Sequence, residues 1–178
     1  MIKNFIFKIL IIKLFILISG NMAYSEILKE IKIIGNERLA KETVIMFSEL
    51  ELGKLINQNE LNSSIKNLYN TNYFKSINMN LINNTLEIKV VENPIIQSIK
   101  IEGIKNKEIL DNLSSITKKS EKYPYLINKI NEQKNLLINV VRNNGFYFAE
   151  LITKIVKNDN NSVDLIYIFD LGERAIIK

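Results

Sequence analysis

The feature that most constrains this chain is a pattern that occurs twice. Ile31-Lys32-Ile33-Ile34-Gly35 is echoed by Ile99-Lys100-Ile101-Glu102-Gly103, which starts at 99 against 31, an offset of 68 residues. Both stretches alternate apolar and polar residues and stop at a glycine, as a half-buried strand ending in a turn does. Self-similarity at such a spacing indicates one supersecondary unit used twice. The 178 residues are therefore predicted to hold two small domains, each near the lower size limit for a self-sufficient core.

The segments between the echoes follow one order. In the first unit, 39–47 reads as a helix with Ala40, Val44 and Phe47 on one face, ended by Leu52-Gly53. Asn59 is expected to cap a second helix. Its Leu61, Ile65, Leu68 and Tyr69 fall at i, i+4, i+7 and i+8, a stripe laid on a core. Residues 74–81 read as a strand with Ile77, Met79 and Leu81 facing the core and Lys75, Asn78 and Asn80 facing away. Asn83-Asn84 tolerates positive φ and closes a hairpin onto 85–91, where Leu86, Ile88 and Val90 point in and Glu87 and Lys89 point out.

In the second unit, 107–113 is predicted to be a short helix and 125–144 a long one. Leu126, Ile130, Leu137 and Val141 line the long helix and Gly145 stops it. Residues 146–156 read as a strand, 158–161 as a turn and 163–169 as the last strand, with Val163, Leu165, Tyr167 and Phe169 alternating inward. Each unit reads strand, helix, helix, strand, strand: an α+β fold with two helices on one face of a three-stranded sheet. Asn93-Pro94 marks the boundary, because proline disfavours helix before it and cannot donate to a ladder.

Residues 1–25 read as a secretory signal. Lys3 and Lys8 supply the positive region, 9–18 the apolar region, and Ala23-Tyr24-Ser25 a small-x-small site with cleavage between Ser25 and Glu26. Lys13 interrupts the apolar run, and an uncleaved anchor is the alternative. A spanning helix needs about 20 mostly apolar residues, and lysine at its centre costs about 2.5–3.5 kcal/mol.

Composition removes several chemistries. The chain has no cysteine and no histidine, so thiol nucleophiles, disulfides, Cys/His metal sites and imidazole acid–base catalysis are excluded. Without Lys3, Lys8 and Lys13 the 24 bases become 21 against 19 acids, too balanced a chain to argue for nucleic acid. Glu87, Glu92 and Asp164 lie beside no nucleophile or metal cluster in sequence and are expected to be solvated strand residues. No enzyme, cofactor or metal is predicted.

The repeated βααββ order with its Gly-Asn turn resembles the POTRA domain, as found in tandem before the membrane barrel of outer-membrane β-barrel assembly factors. The matching stretches are Ile31-Lys32-Ile33-Ile34-Gly35-Asn36-Glu37-Arg38, Leu68-Tyr69-Asn70-Thr71-Asn72-Tyr73-Phe74, Leu86 through Pro94, and Asn144-Gly145-Phe146-Tyr147. The second unit departs from the pattern, with Gly103-Ile104 where the first has Gly35-Asn36.

The resemblance implies a signal over 1–25, POTRA domains over 26–93 and 94–174 with mixed sheets, and a third beginning at 175–178. It implies a fragment whose carboxy-terminal membrane barrel is missing. It further implies a binding role at the periplasmic face of the outer membrane. The expected partners are unfolded outer-membrane β-barrel proteins and accessory assembly lipoproteins. The family's sheet order puts the second strand of each unit at an edge, where a client segment can add as another strand. The contact candidates are then Lys75, Asn78 and Asn80 in the first unit, and Phe148, Glu150 and Ile152 in the second. Lys75, Asn78 and Asn80 serve equally as gatekeepers against unwanted pairing. Tyr73, Phe74, Phe146 and Tyr147 are expected to pack at helix-to-strand corners. A two-partner secretion transporter and an anchored cell-division scaffold are the competing readings.

Overall fold

The computed structural model describes residues 25–173. The expected signal, the anchor alternative and the start of a third unit fall outside the described residues. The first unit comprises β1 (Glu26–Ile27), β2 (Glu30–Ile34), α1 (Lys41–Ser48), β3 (Leu55–Ile56), α2 (Gln58–Asn70), β4 (Phe74–Ile82) and β5 (Thr85–Glu92). The second comprises β6 (Ile95–Glu102), α3 (Lys107–Lys118), α4 (Ile127–Asn143), β7 (Glu150–Asn158) and β8 (Ser162–Asp170).

The sheets run β2-β5-β4 and β6-β8-β7. In each, the first strand pairs with the central one in parallel, and β4 or β7, on the other side, pairs with it antiparallel. These are the expected α+β units with mixed sheets. Leu86, Ile88 and Val90 on β5, and Val163, Leu165, Tyr167 and Phe169 on β8, are all buried. Each central strand thus carries the main row of core side chains. The first core closes against Val44, Leu61 and Leu68, and the second against Ile109, Leu113, Ile130, Leu137 and Val141.

Several boundaries differ from the sequence reading. Ala40 is the exposed residue before α1 and shares no face with Val44. Asn57 caps α2 in place of Asn59: its side chain accepts from the Asn59 and Glu60 N–H groups, while Glu60 accepts from the Asn57 N–H. This reciprocal capping box makes Asn57→Ala expected to cost the first unit about 1 kcal/mol, measurable by urea titration. Helix α3 runs on to Lys118 because Ile109, Leu113 and Thr117 continue one buried face at intervals of four. Helix α4 begins only after Leu126. A two-stranded ribbon, β1 with β3, is new. Two residues per strand are too few to show alternation.

Strand β7 begins at Glu150, four residues later than expected. Gly145 has φ +94°, and the Ala149 N–H bonds back to the Phe146 carbonyl. The stretch 146–149 is therefore a turn that tucks Phe146 against the core and buries Ala149. Tyr147, expected at the corner, is exposed. Tyr73 and Phe74 do form their corner: Tyr73 stacks on Phe47 at 5.8 Å, and Phe74 is buried.

The junction between units has almost no free chain. Asn93 donates from its backbone N–H to the Tyr73 carbonyl (2.7 Å) and from its side chain to the Asn72 carbonyl (2.9 Å). The Pro94 carbonyl accepts from the Tyr125 N–H at 2.7 Å. Across the gap, the Arg38 guanidinium donates to the Asn160 carbonyl at 3.1 Å.

Candidate functional site: two edge strands and their grooves

The strand order leaves β4 and β7 at the edges of their sheets. On β4, the Ile77 N–H donates to the Tyr69 hydroxyl of α2 at 3.2 Å, so it points away from β5. Antiparallel pairing alternates. The backbone groups of Met79 and Leu81 therefore point out of the ladder as well, while those of Asn78 and Asn80 bond β5. The side chains divide the other way: Ile77, Met79 and Leu81 pack on the core. This edge offers backbone on its rim and apolar side chains toward the helices.

A groove runs between each edge and the second helix of its unit. In the first unit it measures about 290 Å³ and is lined by Gln58, Leu61 and Ile65 on α2 and Met79, Asn80 and Leu81 on β4. In the second it measures about 380 Å³ and lies between Lys134, Ile138 and Arg142 on α4 and the start of β7 from Ala149 to Ile152. The repeated topology thus yields two comparable grooves.

The contact candidates scatter over this geometry. Asn80, Glu150 and Ile152 line the grooves. Asn78 is exposed and pairs with Lys89 on the sheet face away from the helices. Lys75 is the extra residue of a β-bulge, since Phe74 pairs with Glu92 and Ser76 with Val91. The bulge resets the alternation so that Phe74 and Ile77 both reach the core. Phe148 is 76% exposed and lies in the turn before β7. It is therefore no strand residue. Tyr69, on the apolar stripe of α2, is 42% exposed and lies outside the core. The signal available was chemical: a tyrosine at the rim of an apolar stripe needs a partner for its hydroxyl.

Two of the three acids are not simply solvated. Glu92 is 6% exposed, and its carboxylate accepts from the N–H groups of Glu37 (2.9 Å), Arg38 (3.1 Å) and Leu39 (3.1 Å). It fastens the loop after β2. Asp164 accepts from the Ser98 hydroxyl and the Asn158 side-chain amide. These bonds, that from Ser98 first, hold its carboxyl below the ordinary 3.8. A depressed carboxyl contributes stability that is present above the unfolded pKa and lost as pH falls through the folded one. The Tm gap between native and Asp164→Asn chains should therefore stay constant well above pH 3.8 and close in more acid solution. Glu87 pairs with Lys89 at 2.8 Å on the outer face, as its alternation implied. Tyr167, fully buried, donates to Gln133 Oε1 at 2.7 Å, and burial pushes its phenol up to about 12. Among the described residues, no group of three or more acids could hold a metal ion.

Comparison with known proteins agrees with this architecture. A model of the POTRA family, described as "Surface antigen variable number repeat", matches residues 27–93 and 94–172. The outer membrane protein assembly factor BamA of Neorickettsia risticii is 31% identical over 90 residues, covering 51% of this chain and 12% of that protein. BamA of Neisseria meningitidis serogroup B is 26% identical over 153 residues, covering 84% of this chain and 19% of that protein. The chain thus spans a fifth or less of these relatives' length. Among solved structures, the N-terminal domain of Omp85 from Thermosynechococcus elongatus has the same fold, with a TM-score of 0.51, 11% identity and coverage of 81% of this chain and 63% of that one.

Proposed function

Because the chain belongs to the POTRA family, we propose that it is a periplasmic POTRA region of the outer-membrane β-barrel assembly machinery. In this reading it receives unfolded barrel proteins as strands added to β4 and β7, and its accessory lipoproteins and membrane barrel belong to the larger assembly. The likeness to assembly factors supports the setting. The observation that carries the mechanism is the outward-turned backbone of Met79 and Leu81 at an edge beside the groove against α2. Backbone pairing needs little side-chain identity, which suits a receptor for clients of differing sequence.

The test is amide hydrogen exchange on residues 25–178 with and without a barrel-strand peptide. Met79 and Leu81 should gain protection, while Asn78 and Asn80, already bonded to β5, should change little. Unchanged exchange of Met79 and Leu81 at saturating peptide overturns the reading. Tyr69→Phe should release the Ile77 N–H, speed its exchange in the free chain, and tighten peptide binding about two- to tenfold, the worth of one added backbone bond.

A further inference from the structure

The two edges converge on a third concavity. Strand β7 ends, and β4 begins, at a cleft of about 600 Å³ between the units. Pro94, Tyr125 and Ile127 form its apolar wall, and Lys75, Lys129 and Lys157 stand around it. No carboxylate lines it. Lys129 is paired with Glu132 at 2.8 Å, whereas no such partner engages Lys75 or Lys157 among the described residues. Lys75 is the bulge residue, and a bulge re-aims its side chain out of the ordinary alternation. Helix α4 opens on the same cleft, and Leu126 before it supplies no side-chain cap. Its first-turn N–H groups therefore add to the positive field already set by the lysines. The backbone around the cleft is held by the Asn93 and Pro94 bonds, so the shape is present before any ligand arrives.

We propose that this junction cleft binds an acidic, apolar stretch of extended polypeptide: a carboxylate side chain set between Lys75 and Lys157, with its apolar neighbour against Tyr125 and Ile127. Complementary charge selects the carboxylate, and the apolar wall distinguishes such a peptide from a free anion. The inference rests on the edge-strand reading only for the direction from which the segment arrives. The recognition is different in kind, since the cleft reads side chains where the edges read backbone.

The experiment uses residues 25–178 and two extended peptides of about ten residues, long enough to pass the end of a strand. One alternates glutamate with aliphatic residues, and the other has glutamine at the same positions. The glutamate peptide should bind about three- to tenfold more tightly at low salt and shift the amides of Tyr125 to Lys129. That preference should vanish in K75Q/K157Q and at high salt. Equal affinity for the two peptides overturns the proposal, as does an undiminished preference in K75Q/K157Q. Binding to phosphatidylserine vesicles with no preference between the peptides overturns it in favour of a lipid surface. Protection of Met79 and Leu81 is read in the same samples, so the edge-strand reading fails or survives separately.

Discussion

Glu92→Gln is expected to cost the first unit about 2–4 kcal/mol, because three loop N–H groups lose the one charged acceptor that satisfies them. Glutamine offers a single oxygen and turns an N–H₂ toward donors that need an acceptor. A domain of this size has about 3–10 kcal/mol in total, so the loss is a large fraction of it. With a urea slope near 1 kcal/mol per molar, the midpoint should fall by about 2 M or more. Glu92→Asp keeps the charge on a shorter arm and should fall between the two. A midpoint within about 0.5 M of the native value would show that the loop finds its partners elsewhere.

Gly103→Ala should be as severe for the second unit. Gly103 has φ +87°, and a Cβ there would run into the carbonyl of Phe169 on the central strand β8. Neither backbone can give way without opening the ladder. The left-handed conformation alone costs about 1–2 kcal/mol with a side chain, and displacement of β8 adds to it. Gly53→Ala is the matched control: its φ is +84°, but nothing lies within 4 Å of the added atom. The control should lose only the conformational part. Residue-resolved unfolding by NMR should show Gly103→Ala melting the second unit first, with the first unit near its native midpoint, because the cores share no residue. Equal losses at the two glycines would remove the close approach from the explanation.

Residues whose fate follows from periodicity were legible in the sequence. The alternation on β5 and β8 and the Ile31 and Ile99 echoes marked these four segments as strands; that β5 and β8 are central, with β2 and β6 parallel beside them, comes from the fold. Contacts between distant residues were not legible. Glu92 reads as one more strand charge until the loop at 37–39 folds over it. The choice of Asn57 over Asn59, by contrast, is local: Glu60 three residues after Asn57 completes a capping box readable in the sequence. The 146–149 turn was hidden because Phe146, Tyr147 and Phe148 resemble strand residues, whereas the positive φ of Gly145 follows from its place after the helix. The same limit applied to the site. The resemblance named Asn80, Glu150 and Ile152 as edge-strand contacts, but the grooves they line and the convergence of lysines at the junction are not visible without the fold.

The bonded junction has a consequence for avidity. Asn93 is fixed to one unit and Pro94 to the other, so little torsional freedom remains between the two edges. Under the proposed function, two weak sites on such a short tether would act on one client as a bivalent clamp. Once a segment was seated at one edge, the next would meet the second at an effective concentration in the millimolar range. Under the proposed function, the pair would then discriminate by the spacing between a client's strand-forming segments, and a client with one such segment would leave quickly whatever its sequence.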